Sequence, residues 1–300
     1  MATLNPWSKP LRLTTTDTYQ LARSRLPKHP ATPMSHIPPF LIVFLFTFAI
    51  SKSGHAHESG QQSSIKTSET SQRMSRRVGD QQLNYLIQKP ATDPPTGGWP
   101  LLLFLHGYGE CGDNLSKVKK HGPPKLIQQY DELKRCVVIS PQCPRDSWWR
   151  IETLKVLVDE FIAERDDINP TRVYVTGLSM GGYGIWSFLS RYPEYFTAAI
   201  PICGGGNPFN LPANRPGRKR GITNEFLPDG IRKVTSTPIW TFHGSHDKSV
   251  PLIETQQLVQ TLRAAGNQNC KFTVYQGAGH VAAWEKAYSN PDTWKWLFAQ

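Results

Sequence analysis

The run Val173-Tyr174-Val175-Thr176-Gly177-Leu178-Ser179-Met180-Gly181-Gly182 constrains the fold of this 300-residue chain more than any other stretch, because an apolar strand pattern runs directly into Gly-x-Ser-x-Gly. Glycines two residues to either side of Ser179 let the backbone turn sharply from strand to helix and leave the hydroxyl exposed at the strand end. The flanks supply what such a turn requires. Arg172 to Thr176 is β-branched and aromatic, while Ile185, Trp186 and Leu189 recur at helical spacing until Pro193 closes the segment. Ser179 is therefore a candidate nucleophile, and the chain should fold as an α/β domain.

The rest of residues 80–300 repeats the alternation. Strands are expected at Leu83–Gln88, Leu101–Leu105, Cys136–Ser140, Ala198–Ile202, Ile239–Phe242 and Lys271–Tyr275, with helices over Ile151–Glu164, Ile253–Ala265 and from Asp292. Near-continuous apolar strands separated by helices imply a mainly parallel sheet covered on both faces. In such sheets ligands sit at the carboxyl ends of the strands.

A serine hydroxyl is a poor nucleophile at neutral pH, so it needs a base and an acid that orients the base. The order Ser, then acid, then His is the one expected on this architecture. After the strand at Ile239 comes His243-Gly-Ser-His-Asp247, which offers Asp247 as the acid, with Glu254 and Asp229 as fallbacks. After the next strand Gly277-Ala-Gly-His280 offers His280 as the base; His106, His121, His243 and His246 do not follow the acid on a later strand. A developing oxyanion needs pre-placed donors. The Met180 amide, directly after the nucleophile, is one; in the loop His106-Gly-Tyr-Gly-Glu110 the Tyr108 amide is the best candidate for the other, with Gly107 next. That loop lacks the third glycine of a dinucleotide fingerprint.

Together His106-Gly-Tyr-Gly-Glu110, Ser140-Pro-Gln-Cys-Pro144 with Trp148-Trp149, Gly177-Leu-Ser-Met-Gly-Gly182, His243-Gly-Ser-His-Asp247 and Gly279-His280 resemble the α/β-hydrolase superfamily over residues 80 to 300. More narrowly they are similar to the predicted-peptidase or phospholipase/carboxylesterase-like group related to the prolyl oligopeptidase and dienelactone hydrolase families. The resemblance implies an α/β-hydrolase fold and a serine hydrolase of carboxylic esters that requires no metal or organic cofactor. It also leaves room for a serine peptidase, and a catalytically silent binding protein on the same fold is a further alternative. Members include simple carboxylesterases, feruloyl and acetylxylan-type esterases, polyhydroxybutyrate depolymerases and some peptidases, so the substrate is open. Trp148, Trp149 and Trp284 are candidate substrate contacts, each with core packing as the alternative. The Gly-, Pro- and Asn-rich insertion from Gly204 to Arg232 is a candidate cap over the pocket.

The amino-terminal third has a different character. Residues 37–50 form an almost unbroken apolar run followed by Gly54-His55-Ala56, too short for a bilayer span of about 20 residues and suited to a secretory signal ending near residue 56. An exported protein is expected, with an uncleaved amino-terminal membrane anchor as the alternative and Met34 as an alternative start. Residues 57–79, rich in Ser, Gln and Thr, read as a disordered linker. Six Lys and Arg against one Asp in residues 1–56 supply five of the eleven net positive charges, leaving about +6 on the rest. The basic cluster Arg215, Arg218, Lys219 and Arg220 has no interleaved aromatic platform, so a solvated loop and no nucleic-acid partner are expected. Five cysteines show no metal-ligand spacing, and export would permit one or two disulfides of unspecified pairing. Asn114-Leu-Ser is a glycosylation acceptor only in a eukaryotic secretory route.

Overall fold

The structure, a computed structural model, describes residues 72–78, 81–206 and 230–300. The apolar run at 37–50, the linker up to residue 71, and residues 207–229 with the basic cluster and Asp229 lie outside the described residues. The strands are β1 (Gln72–Val78), β2 (Gln81–Gln88), β3 (Trp99–Leu105), β4 (Val137–Gln142), β5 (Ile168–Leu178), β6 (Ala198–Ile202), β7 (Ile239–Gly244) and β8 (Cys270–Tyr275). The helices are α1 (Gly122–Leu126), α2 (Asp131–Lys134), α3 (Ile151–Ala163), α4 (Met180–Arg191), α5 (Leu252–Ala264), α6 (His280–Ser289) and α7 (Pro291–Phe298).

The strands form one eight-stranded sheet in the order β1-β2-β4-β3-β5-β6-β7-β8. Pairings β1–β2 and β2–β4 are antiparallel, and all the others are parallel. The β3 run Leu101 to Leu105 explains why two helical layers are needed: every side chain in it is fully buried. Leu101, Leu103 and Leu105 pack on one face with Leu154 and Leu157 of α3, Ile185 of α4 and Leu258 of α5. Leu102 and Phe104 pack on the other with Ala283 and Ala287 of α6 and Trp294 and Leu297 of α7. Each such leucine, isoleucine or phenylalanine side chain contributes roughly 1.5–3 kcal/mol by leaving water. Among the described residues no helix is long and apolar enough to cross a membrane.

Two elements depart from the sequence expectation. Residues 72–78, the end of the expected linker, are strand β1, paired antiparallel to β2 from Gln72 opposite Ile87 to Val78 opposite Gln81. An edge strand is held by backbone ladder bonds, so it needs little apolar content. Val78 alone enters the core cluster, while Arg76 pairs with Glu160 and Glu164 on and just beyond α3. The carboxyl-terminal region holds two helices where one was expected. The first starts at His280 itself; the second is capped by the Asn290 side chain, which accepts from the Asp292 amide, with Pro291 in the first turn.

Candidate active site

Ser179 sits between β5 and α4 with φ 53° and ψ −115°, a conformation non-glycine residues seldom adopt. The neighbouring glycines make that turn possible. A Cβ on Gly181 would lie 1.9 Å from the Leu105 carbonyl oxygen, and one on Gly177 would lie 2.6 Å from the same atom. The Ser179 amide donates to the Ile202 carbonyl at 2.9 Å, and its own carbonyl receives the Tyr183 amide, the first bond of the helix, at 3.0 Å. The Ser179 backbone is thus tied to β6 on one side and to α4 on the other.

The loops after β7 and β8 bring the other two groups to it. His280 Nε2 lies 2.8 Å from Ser179 Oγ, and His280 Nδ1 lies 2.6 Å from Asp247 Oδ2. A carboxylate only accepts, so the Nδ1 proton points to Asp247 and the Nε2 lone pair faces the serine. The Asp247 side chain is fully buried, and its Oδ1 accepts the amides of Ser249 at 2.8 Å and Val250 at 2.9 Å. Burial pushes its pKa up, but donation from His243 and His280 and the Val250 amide outweigh burial and hold it well below the usual carboxylate range.

His243 is the group that sequence reasoning passed over. At the end of β7, wholly buried, its Nε2 faces the Val250 carbonyl at 2.9 Å and Asp247 Oδ2 at 3.3 Å, and its Nδ1 faces Thr255 Oγ1 at 2.7 Å. The signal was a histidine ending an apolar strand four residues before the acid. Of the other histidines, His246 is exposed on the acid loop, and His121 lies 3.7 Å from Glu110 and edge-on to Trp284. The fallback acid Glu254 is engaged elsewhere, accepting the Gly206 amide at 3.2 Å.

The Tyr108 loop lies against Ser179: a Cβ on Gly107 would be 3.7 Å from Ser179 Cβ. His106, fully buried, clamps it. His106 Nε2 accepts the Cys143 amide at 3.0 Å and Nδ1 donates to the Gly107 carbonyl at 2.6 Å, so the ring is the neutral Nδ1–H tautomer. Burial brings its pKa down to about 4, against a smaller upward pull from the Gly107 carbonyl. Burial raises the pKa of the Glu110 carboxyl, partly offset by Lys120 and the Gly107 backbone. Met180 opens α4, where an amide has no partner within the helix.

The tryptophans divide. Trp149 belongs to the core: it is 6% exposed, packs on His106 at 4.8 Å between centroids, and donates from Nε1 to the His106 carbonyl at 3.3 Å. Of the two readings open to Trp149, core packing is the one these contacts describe, with the ring supporting the loop. Trp148 is partly buried and packs on Tyr183 and Val250. Trp284, one turn along α6 from His280, stands edge-on to that ring at 5.0 Å. One donor set of metal-ligating type occurs among the described residues, Cys203, Asp247 and His280 with ligand atoms within 4.8 Å of one another. Its imidazole Nδ1 and carboxylate are already bonded to each other.

The sequence pattern of the dienelactone hydrolase family matches residues 151–292. The chain is 27% identical over 212 residues to "Probable carboxylesterase SOBER1-like" of Arabidopsis thaliana, covering 60% of this chain and 71% of that one. A crystal structure of a thermostable esterase is similar at TM-score 0.57 and 27% identity, covering 77% of this chain and 63% of its own. An acylaminoacyl peptidase of Pyrococcus horikoshii shares the fold at TM-score 0.56 and 16% identity, covering 78% of this chain and 40% of its own. The chain thus spans less than two thirds of the length of both solved structures.

Proposed function

We propose that the chain, whose similarities lie within the α/β-hydrolase superfamily, is a serine hydrolase of carboxylic esters working through an acyl-enzyme on Ser179. The observation that carries this reading is the continuous relay from Ser179 Oγ to His280 at 2.8 Å and from His280 to Asp247 at 2.6 Å. His280 Nε2 takes the serine proton as Oγ attacks the ester carbonyl. The Met180 and Tyr108 amides hold the oxyanion, each such donor being worth roughly 2.7–4 kcal/mol. The ionised Asp247 stabilises the imidazolium, which returns its proton to the leaving alcohol. His280 then deprotonates a water that attacks the acyl carbon and frees Ser179.

Trp148, with Tyr183 and Val250 behind it, is the aromatic wall we assign to substrate binding, and Trp284 flanks the base. We further propose export, on the apolar run at residues 37–50 and the small residues after it. Amino-terminal sequencing of protein recovered outside the cell should then begin near residue 57, and an intact amino terminus would refute cleavage. The catalytic test is a panel of p-nitrophenyl esters beside peptide amides, with Ser179→Ala as control. Ester turnover abolished by Ser179→Ala supports the reading; amide turnover without ester turnover would transfer the site to the peptidase class.

A further inference from the structure

The loop that carries Tyr108 is joined to the end of β4 by a set of short contacts. Gln142 Nε2 donates to the Glu110 carbonyl at 2.7 Å, the Gly112 amide to the Cys143 carbonyl at 2.9 Å, and the Cys143 amide to His106 at 3.0 Å. These bonds place Cys111, which follows the Tyr108–Glu110 turn, beside Cys143, which follows β4. Both side chains enter the same core cluster, 8% and 1% exposed respectively. The neighbouring Cys111 thiol, together with burial, pushes the Cys143 thiol far above its ordinary pKa.

The three remaining cysteines stand apart from this pair. Cys136 and Cys203 belong to the core on the opposite face of the sheet, where Cys136 Sγ donates to the Leu133 carbonyl and Cys203 lies beside Asp247 and His280. Cys270 opens β8, at the far edge of the sheet from β4. Only Cys111 and Cys143 run on hydrogen-bonded neighbouring segments, the closeness a disulfide requires.

We propose that Cys111 and Cys143 are an oxidation site, closing into a disulfide that fastens the Tyr108 loop to the end of β4 while Cys136, Cys203 and Cys270 stay as thiols. The co-reactant is a small-molecule disulfide such as glutathione disulfide. Cys111, the more exposed of the two, loses its proton and attacks one sulfur of that disulfide, forming a mixed disulfide and expelling one glutathione thiolate, which takes up the proton. Cys143 then attacks the Cys111 sulfur, the mixed disulfide breaks, and the second glutathione thiolate leaves with the Cys143 proton. Two cysteine thiols are oxidised and one glutathione disulfide is reduced to two glutathione thiols. The cross-link closes a loop around α1 and α2, so it also narrows the unfolded ensemble.

The full chain is equilibrated in glutathione buffers from fully reduced to fully oxidised, alkylated with N-ethylmaleimide under denaturing conditions, digested and mapped. The expected result is joint loss of the Cys111 and Cys143 adducts, a dithiothreitol-reversible peptide linking the two, and alkylation retained at the other three of the five cysteines. The oxidised protein should melt about 5–10 °C above the reduced one. The Cys111→Ser/Cys143→Ser variant should lack both the link and that difference, and Cys136→Ser should keep both. Five alkylated thiols in the most oxidising buffer, a link between any other pair, or a glutathione adduct that never closes would overturn the proposal. Mapping reads the cross-link whether or not the protein hydrolyses esters.

Discussion

The two loops that meet at Ser179 from opposite sides are held by different forces. The acid loop is organised around a charge: Asp247 is buried, ionised and contacted by two histidines and two backbone amides. The Tyr108 loop is organised around neutral groups, with His106 between the Cys143 amide and the Gly107 carbonyl, and Trp149 donating to the His106 carbonyl. A group that must stabilise a transient imidazolium is useful when it stays charged. A loop that must present an amide to a developing oxyanion is useful when it stays still. In the proposed mechanism the first demand falls on a charged loop and the second on a neutral, hydrogen-bonded one.

If the charge is what matters in the acid loop, removing it without changing shape should cost the most. Asp247→Asn should lower kcat by about 10⁴-fold with KM little changed, because the amide no longer fixes the Nδ1–H tautomer of His280. A loss below tenfold in steady-state ester assays would mean that another acid serves.

The neutral loop should fail differently, through pH. The folded-state pKa of His106 is brought down to about 4. Against an unfolded value near 6.5, the stability contributed by keeping His106 neutral is complete above pH ~6.5 and is lost as pH falls toward ~4, a difference of about 3 kcal/mol. Asp247, lowered further, contributes stability above its unfolded pKa near 4 and loses it only below that value, so it is silent across this window. Urea melts between pH 7 and pH 4.5 should show the decline, and His106→Gln should flatten it. An unchanged slope in that variant would remove His106 as the source.

His243 sharpens the comparison at the smallest scale. His243→Gln deletes a ring that contacts Asp247 and Thr255, and should lower kcat by about tenfold, the worth of one hydrogen bond to a charged group. A rise in KM alone would instead point to a changed pocket.

The meeting of Ser179, Asp247 and His280 was legible in the sequence because each stands just after a strand whose apolar run is unmistakable, with glycines marking the turn. What was not legible depended on packing without periodicity. Trp148 and Trp149 are adjacent in an irregular segment, and nothing local distinguishes the one that faces Tyr183 from the one buried on His106. Strand β1 carries Ser and Arg where an alternating apolar pattern would be sought, because its ladder bonds to β2 do the pairing. Helix α6 was missed because it starts at His280, a residue read as part of a glycine turn, and continues with the small residues Ala282 and Ala283.

The central claim is that Ser179 is the nucleophile activated by His280. Reaction of the full chain with a fluorophosphonate, followed by intact-mass measurement and peptide mapping, should give one adduct per chain, on Ser179. His280→Ala should lower the labelling rate by about 10³-fold or more. No adduct, or an adduct on another residue with Ser179 unmodified, would contradict the account.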